Sequence, residues 1–313
     1  MDFCAMNERI LPPDEGAARR ARARLNEIAK PVGSLGALED DLVAVAALTG
    51  SERISLKPRA VLAMCADNGV AAPDIAITPV RVTRTVAEMM ARGESNVCRM
   101  ARLAGAEVFP YDVGMFTRSD EAGLGGPHIS DGTKNILSGP AMTAEQAEAA
   151  LTFGMERAVE FARRGYRLLA TGEMGVGNTT TSAAMAAALL GRSPREVTGR
   201  GSGLSDESLR RKIEVVEQAI RVNEPDASDA FDVLRKLGGY DIAAMAGVFI
   251  GGAPVSARSR LHARQPRVRG TGGSAAAGGI AAEAAHMRGS AAGRGYRRGR
   301  GHADARYGAG NLQ

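Results

Sequence analysis

Apolar residues along this chain fall into short, nearly uninterrupted runs separated by longer stretches of helical periodicity. Ala60-Val61-Leu62-Ala63-Met64-Cys65-Ala66 is one such run, Ala106 to Gly114 a second, and Arg167-Leu168-Leu169-Ala170-Thr171-Gly172 a third. Runs of this length ending in polar or glycine turns predict parallel strands buried on both faces. Between them the spacing predicts helices over 8–30, with Pro12-Pro13-Asp14-Glu15 resembling a start, and from Ala37 to Leu48. Further helices are predicted from Thr83 to Ala104 as one piece, Thr143 to Arg164, Thr179 to Leu190 and Ser205 to Asn223, with one more apolar element from Tyr240 to Phe249. Thr143 with Glu145 and Gln146, and Ser205 with Asp206 and Glu207, are helix-start signatures. Strands alternating with helices predict an α/β fold around a parallel sheet, with ligands at the carboxyl ends of the strands.

The pattern stops at Gly251-Gly252-Ala253. Of the sixty residues from Pro254 to Gln313, six are Leu, Ile, Val, Phe or Met and twenty-six are Gly or Ala. Such a segment cannot supply a core face and is expected to be poorly ordered. It carries eleven Arg, one Glu and one Asp, a net of +9, whereas the whole chain carries +5. The remainder is therefore mildly acidic, at −4. That is no footprint for a nucleic-acid backbone, so nucleic acid is not an expected partner.

The 44% hydrophobic and 24% charged composition of the 313 residues fits a globular enzyme. No apolar stretch reaches membrane-spanning length, and the first twenty residues lack the features of a secretory signal. Cys4, Cys65 and Cys98 are odd in number and widely spaced. They are expected to be free thiols in the cytoplasm rather than a disulfide frame or a zinc site.

The sharpest chemical signal is Thr171-Gly172-Glu173-Met174-Gly175-Val176-Gly177-Asn178-Thr179-Thr180-Thr181. Glycines at a strand-to-helix turn let backbone N–H groups approach an anion, and the helix start adds its dipole and side-chain donors. The segment lacks the Lys of a Walker loop and misses the spacing of a dinucleotide fingerprint. A plain turn with a helix cap explains the same glycines. Glu173 beside such a cradle would repel a phosphate unless it faced a cationic or hydroxylated part of the ligand. Gly199-Arg200-Gly201-Ser202-Gly203 is a second glycine-rich loop, from which Arg200 or Lys212 could neutralise a phosphate; a flexible capped connection explains it as well. Asp67-Asn68-Gly69 and Asp112-Val113-Gly114 follow predicted strands, where site residues and ordinary turns both occur. His128, the one histidine before the Arg-rich segment, has no partner at ligand spacing, so no metal site is expected.

Together these segments resemble the nicotinate-nucleotide–dimethylbenzimidazole phosphoribosyltransferase family. The matching pieces are Lys30-Pro31-Val32-Gly33-Ser34-Leu35-Gly36 with Leu38-Glu39, Ala66-Asp67-Asn68-Gly69-Val70, Asn96-Val97, Ala104-Gly105-Ala106 and Asp112-Val113-Gly114. They continue through Gly132-Thr133-Lys134-Asn135-Ile136, Pro140-Ala141-Met142-Thr143, the Gly172-to-Thr180 turn and Gly199-to-Leu204, covering about residues 8–253. The resemblance implies a doubly wound parallel sheet with a smaller helical domain built from terminal segments. Residues 1–50 would belong to the small domain, 51–253 to the α/β core, and 254–313 to neither.

It further implies transfer of ribose 5-phosphate from nicotinate mononucleotide to 5,6-dimethylbenzimidazole, in assembly of the cobalamin lower ligand, by a cytoplasmic homodimer without cofactor. By motif, Gly175, Gly177, Asn178 and Thr179 would hold the phosphate and Lys212 would assist. Glu173 would support from beside the ribose or acceptor, and Asp67 and the segment to Thr85 would help form the benzimidazole site. Asn68 stands where many members have His and Thr85 where many have Gln. The family's general base is a Glu in a Leu-Gly-Glu-Gly-Thr-Gly motif that is absent from this sequence, and Glu283 lies in an unrelated context. Little or no turnover is the expectation, the alternative function being a catalytically impaired nucleotide-binding remnant of the family. Arg, Ala, Gly and Pro are what GC-rich codons spell out of frame, so a frameshift near codon 253 is expected. Sequencing the locus should reveal an intact alternative frame that continues the preceding pattern; the absence of such a frame would exclude the idea.

Overall fold

A computed structural model describes residues 10, 12–71 and 79–255, with no account of the side chains of 254 and 255; Cys4, Glu283 and nearly all of the Arg-rich segment lie outside the described residues. Its three strands, β1 (Arg59–Ala66), β2 (Ala106–Gly114) and β3 (Leu168–Met174), form a parallel sheet in the order β2-β1-β3. Cys65 of β1 lies between Asp112 of β2 and Met174 of β3, so the carboxyl ends of all three strands meet in one place.

Alternation along β1 explains the layering. Ala60, Leu62, Met64 and Ala66 enter one core cluster, while Ala63 and Cys65 enter another on the opposite side. Helices α3 (Arg81–Ala91) and α4 (Asn96–Leu103) link β1 to β2 and cover the second side with Ala87, Met90 and Cys98. The continuous helix expected from Thr83 to Ala104 is thus two helices. Gly93 takes a left-handed turn at φ 73°, and Ser95 caps the new start by accepting from the Cys98 N–H. Helix α5 (Ala144–Arg163) links β2 to β3 across the first side, and the Thr143–Gln146 capping box fixes its start. The sheet is therefore doubly wound, and its winding direction reverses between β1 and β3.

The remaining helices are α1 (Glu15–Glu27), α2 (Ala37–Thr49), α6 (Asn178–Leu190), α7 (Pro194–Val197), α8 (Asp206–Asn223), α9 (Ala230–Leu237) and α10 (Tyr240–Val255). The expected first helix over 8–30 is shorter because Asp14 caps it through the Ala17 N–H. At its other end the chain turns through Lys30-to-Gly36, and the Lys30 ammonium binds the buried Glu39 of α2 at 2.8 Å. That ammonium is the chief reason the Glu39 carboxyl lies below its ordinary range. The short helices α7 and α9 were not expected from periodicity. Cys65 and Cys98 are free and buried, as expected of thiols without disulfide partners.

The closest contact between helices joins α5 to α10. A Cβ on Gly154 would lie 1.9 Å from the Ala244 carbonyl oxygen, and one on Gly247 would lie 2.1 Å from that of Leu151. Both are backbone atoms in regular helices and cannot rotate away. Helix propensity alone favours Ala over Gly by about 1 kcal/mol, yet Gly154→Ala is expected to destabilise the fold by about 1–3 kcal/mol through overpacking. A urea titration should show a lower midpoint, whereas a raised midpoint would mean that α5 and α10 do not meet as described.

Candidate functional site

The carboxyl ends of the strands place three turns side by side. After β1 the chain makes Asp67-Asn68-Gly69; after β2 it enters the loop from Met115 to Thr133; after β3 it makes the Gly175-Val176-Gly177 turn into α6. These turns are stitched together. The Asn68 N–H donates to the Val176 carbonyl at 3.3 Å, the Val176 N–H to the Thr83 hydroxyl at 3.2 Å, and the Thr133 N–H to the Asp67 carbonyl at 3.0 Å. Asp67 accepts the Phe116 N–H at 2.8 Å through Oδ2. Burial raises the Asp67 carboxyl above its ordinary value, against the Thr83 hydroxyl and the Phe116 N–H that lower it.

The glycine-rich turn is a helix N-terminus, as its sequence predicts. Gly177 occupies φ 93° immediately before α6, a conformation costly for side-chain-bearing residues, and a Cβ there would lie 3.0 Å from Ala71. Asn178 and Thr179 form the first helical positions, where N–H groups lack intrahelical acceptors. Lys212, only 2% exposed on α8, donates to the Thr179 hydroxyl at 2.8 Å and to the Gly199 carbonyl at 3.1 Å. No carboxylate pairs with its ammonium among the described residues, and burial pushes it down to about 8. Arg200, the other cation considered for this role, binds Asp206 and the Leu204 carbonyl within its own loop. Of the two cations, Lys212 is therefore the one brought to the turn.

Glu173 is the penultimate residue of β3; the residue is exposed, and its carboxyl accepts the Asn178 amide. Loss of hydration there, and then the negative charge of Asp241, raise its carboxyl to about 7; the Asn178 amide, which donates to Oε2, lowers it. Asp241 at the start of α10 is wholly buried, and burial raises it to about 6 despite the Ile242 N–H and the Asn68 and Asn178 amides. Asn68 is equally buried, and neither end of its amide reaches full hydrogen-bond geometry.

Most of the residues singled out in the sequence thus converge. Gly175, Gly177, Asn178 and Thr179 form one glycine-rich helix start on which the Lys212 ammonium is seated, with Glu173 beside it and Asp67 packed behind it through Thr83. Thr85 does not join them: it is exposed on α3, and its hydroxyl donates to the Arg81 carbonyl at 3.1 Å. Thr83, two residues earlier, makes the connection instead. His128 also has more structure than its sequence suggested. Its ring nitrogens contact Asp112 at 2.7 Å and Asp131 at 2.8 Å, while the other Asp112 oxygen accepts the Gly114 and Met115 N–H groups. The set clamps the loop after β2. Sequence reasoning missed Asp241 altogether, although it is the single charged residue of an otherwise apolar helix, which was the available signal.

Raised carboxyls have a consequence for stability. Between its unfolded value and its folded value, each of Glu173 and Asp241 binds more proton in the native state. Their contribution is therefore complete below about pH 4 and is lost as pH rises through about 6 to 7. Relative to the parent chain, Glu173→Gln should gain thermal stability between pH 5 and pH 8. A difference in melting temperature that stays constant with pH would show that Glu173 titrates normally.

Comparison with known proteins places this geometry in a family. A phosphoribosyltransferase family model matches residues 10–257. The nicotinate-nucleotide–dimethylbenzimidazole phosphoribosyltransferase of Acetivibrio thermocellus is 43% identical over 230 residues, covering 74% of this chain and 66% of that protein. The protein of the same name from Desulforudis audaxviator is 43% identical over 249 residues, 79% of this chain and 70% of its own length. The crystal structure of CobT from Thermus thermophilus superposes with a TM-score of 0.71 at 36% identity, over 79% of this chain and 77% of that one. The match spans about two thirds of the length of these curated relatives. With the family model covering most of the chain and relatives of one name matching the same stretch, this chain belongs to the nicotinate-nucleotide–dimethylbenzimidazole phosphoribosyltransferase family.

Proposed function

We propose that this site binds nicotinate mononucleotide and 5,6-dimethylbenzimidazole and serves the transfer of ribose 5-phosphate between them. The names of the relatives give the reaction. The observation that carries the reading onto this chain is Lys212, a buried ammonium without a carboxylate, seated on Thr179 at the start of α6. A buried cation is costly without a counter-charge. A phosphate in the Gly175–Thr179 turn supplies one and meets the helix N-terminus with the same charge.

In the proposed reaction a benzimidazole ring nitrogen attacks C1′ of the ribose on the face opposite nicotinate, forming the α-glycosidic C–N bond. The bond to the pyridine nitrogen breaks, and its electron pair neutralises the pyridinium of the departing nicotinate. The second azole nitrogen releases its proton to water. The products are α-ribazole 5′-phosphate and nicotinate, the chemistry of cobalamin lower-ligand assembly. Holding the phosphate fixes the ribose for in-line attack. Glu173 and Asp67 line or support the acceptor side. In this reading two copies of the chain form the working unit, as the family resemblance implies. The Leu-Gly-Glu-Gly-Thr-Gly motif is absent from the 313 residues. Loss of a general base costs about 10²–10⁴-fold in rate.

Binding and turnover can be read separately. Lys212→Ala should weaken nicotinate mononucleotide binding by about 10- to 100-fold, the effect of deleting a charge-assisted hydrogen bond, while leaving binding of nicotinate riboside unchanged. In the parent chain, affinity for the mononucleotide should fall as pH rises through about 8 and Lys212 loses its proton. Incubation with both substrates should yield α-ribazole 5′-phosphate slowly. Equal affinity for the phosphorylated and unphosphorylated nucleosides in the parent would remove the basis of the reading.

A further inference from the structure

The loop after β2 is fastened to the strand ends by a histidine that the proposed chemistry does not use. The His128 side chain is 8% exposed; its Nδ1 lies 2.7 Å from Asp112 Oδ2 and its Nε2 lies 2.8 Å from Asp131 Oδ1. An ionised carboxylate can only accept, and a neutral imidazole has one N–H to give. With the ring neutral, one of the two contacts would set a bare nitrogen lone pair against a carboxylate oxygen. With the ring protonated, both nitrogens donate and both contacts are charge-assisted. Two separations of hydrogen-bond length on one ring therefore fit the imidazolium.

The bridge leads directly to Asp67. The His128 N–H donates to the Asp112 carbonyl at 3.1 Å, and its φ of 40° is one that residues with side chains rarely adopt unless their surroundings fix them. Asp131, at the far end, precedes Gly132 and Thr133. The Phe116 ring lies over Gly132, where a Cβ would come within 2.4 Å of it. The Thr133 N–H donates to the Asp67 carbonyl at 3.0 Å, its hydroxyl accepts the Gly69 N–H at 3.0 Å, and the Phe116 N–H donates to the Asp67 carboxyl at 2.8 Å. We propose that His128 is a positioning residue: as an imidazolium bridging Asp112 and Asp131, it holds residues 128–133 on Asp67 and so shapes the acceptor side of the site. This rests on the reading that Asp67 supports the acceptor.

The groups around the ring suit a positive charge. Asp112 ends β2 and Asp131 belongs to the loop; on β1, Cys65 lies beside Asp112 in register and Asp67 follows two residues later. From α10 the Tyr240 ring packs on Gly114. Among the described residues no lysine or arginine pairs with Asp112 or Asp131. The other half of the loop is fastened differently, by Ser119 donating to Glu88 at 2.6 Å and Arg92 to Glu121 at 2.5 Å, and provides an internal reference.

The test uses the full chain. Nitrogen-15 NMR of the histidine rings, with His128→Gln to assign the signal, follows the proton; amide exchange, corrected for the intrinsic effect of pH, follows the loop. Between pH 5.5 and 8.5 the protection of the Thr133 and Phe116 amides should fall about 10- to 100-fold as the His128 ring loses its proton, the scale of one charge-assisted hydrogen bond. The Leu124 amide, in the other half of the loop, should keep its protection. Asp131→Asn alters an exposed side chain, and its amide can donate to a bare ring nitrogen or accept from a protonated one. In that variant, protection should no longer follow pH. Protection in the parent that ignores the ring proton, as a merely structural histidine would give, would overturn the proposal, and so would an unchanged pH dependence in Asp131→Asn. Calorimetric titration with 5,6-dimethylbenzimidazole reads the consequence for the site. Between pH 6.5 and 8.5 its affinity should weaken about tenfold in the parent and stay level in Asp131→Asn; equal weakening in both would overturn the link to the acceptor. If the parent binds no 5,6-dimethylbenzimidazole while its loop follows the ring proton, the acceptor reading fails and the His128 bridge stands.

Discussion

The site depends on backbone being allowed to touch backbone at the carboxyl end of β1. A Cβ on Gly175 would lie 2.3 Å from the Ala66 carbonyl oxygen, and one on Gly69 would lie 2.4 Å from that of Thr133. No side chain fits either position. Because none is present, the Asn68 N–H of the turn after β1 reaches the Val176 carbonyl of the turn after β3, and the loop after β2 closes onto the turn after β1. The start of α6, the buried ammonium of Lys212 and the carboxyl of Glu173 then fall within one small region. The same closeness seals Asp241 from water, and that burial is what raises its carboxyl.

This arrangement also explains why polar groups tolerate burial here. Asp112 accepts two N–H groups and lies against His128, which itself bridges to Asp131. Asp67 is held by Phe116 and Thr83. Asp241 and Lys212 are different: each is sealed from water without an opposite charge among the described residues. Structural ion pairs such as Lys30–Glu39 occur elsewhere in the same chain, so charge pairing was available to the fold. At Asp241 and Lys212 no such pair forms among the described residues.

The family relationship and the physical reading support each other at particular residues. The glycine-rich turn could have been an ordinary helix start on spacing alone. Lys212, thirty-three residues beyond Thr179, sets a buried ammonium on it. No helix among the described residues is long and apolar enough to cross a membrane. The family match ends at residue 257, close to where the apolar pattern of the sequence stops.

Sequence by itself determined the local structure: three strands as apolar runs, of which only the central β1 is buried along most of its length, most helices from their period and caps, and the glycine turn after β3. These are properties of neighbouring residues, set by backbone sterics and by burial of one face or both. It also held enough ordered motifs to name the family. The break between α3 and α4 was legible in Gly93 and Ser95, but the periodicity continuing across them concealed it. What only the tertiary structure decided was which distant residues share an environment. Thr83 rather than Thr85 binds the turn, Lys212 rather than Arg200 reaches it, and Asp241 stands behind Glu173. Such assignments depend on through-space distance and on exclusion of water, which no spacing along the chain encodes.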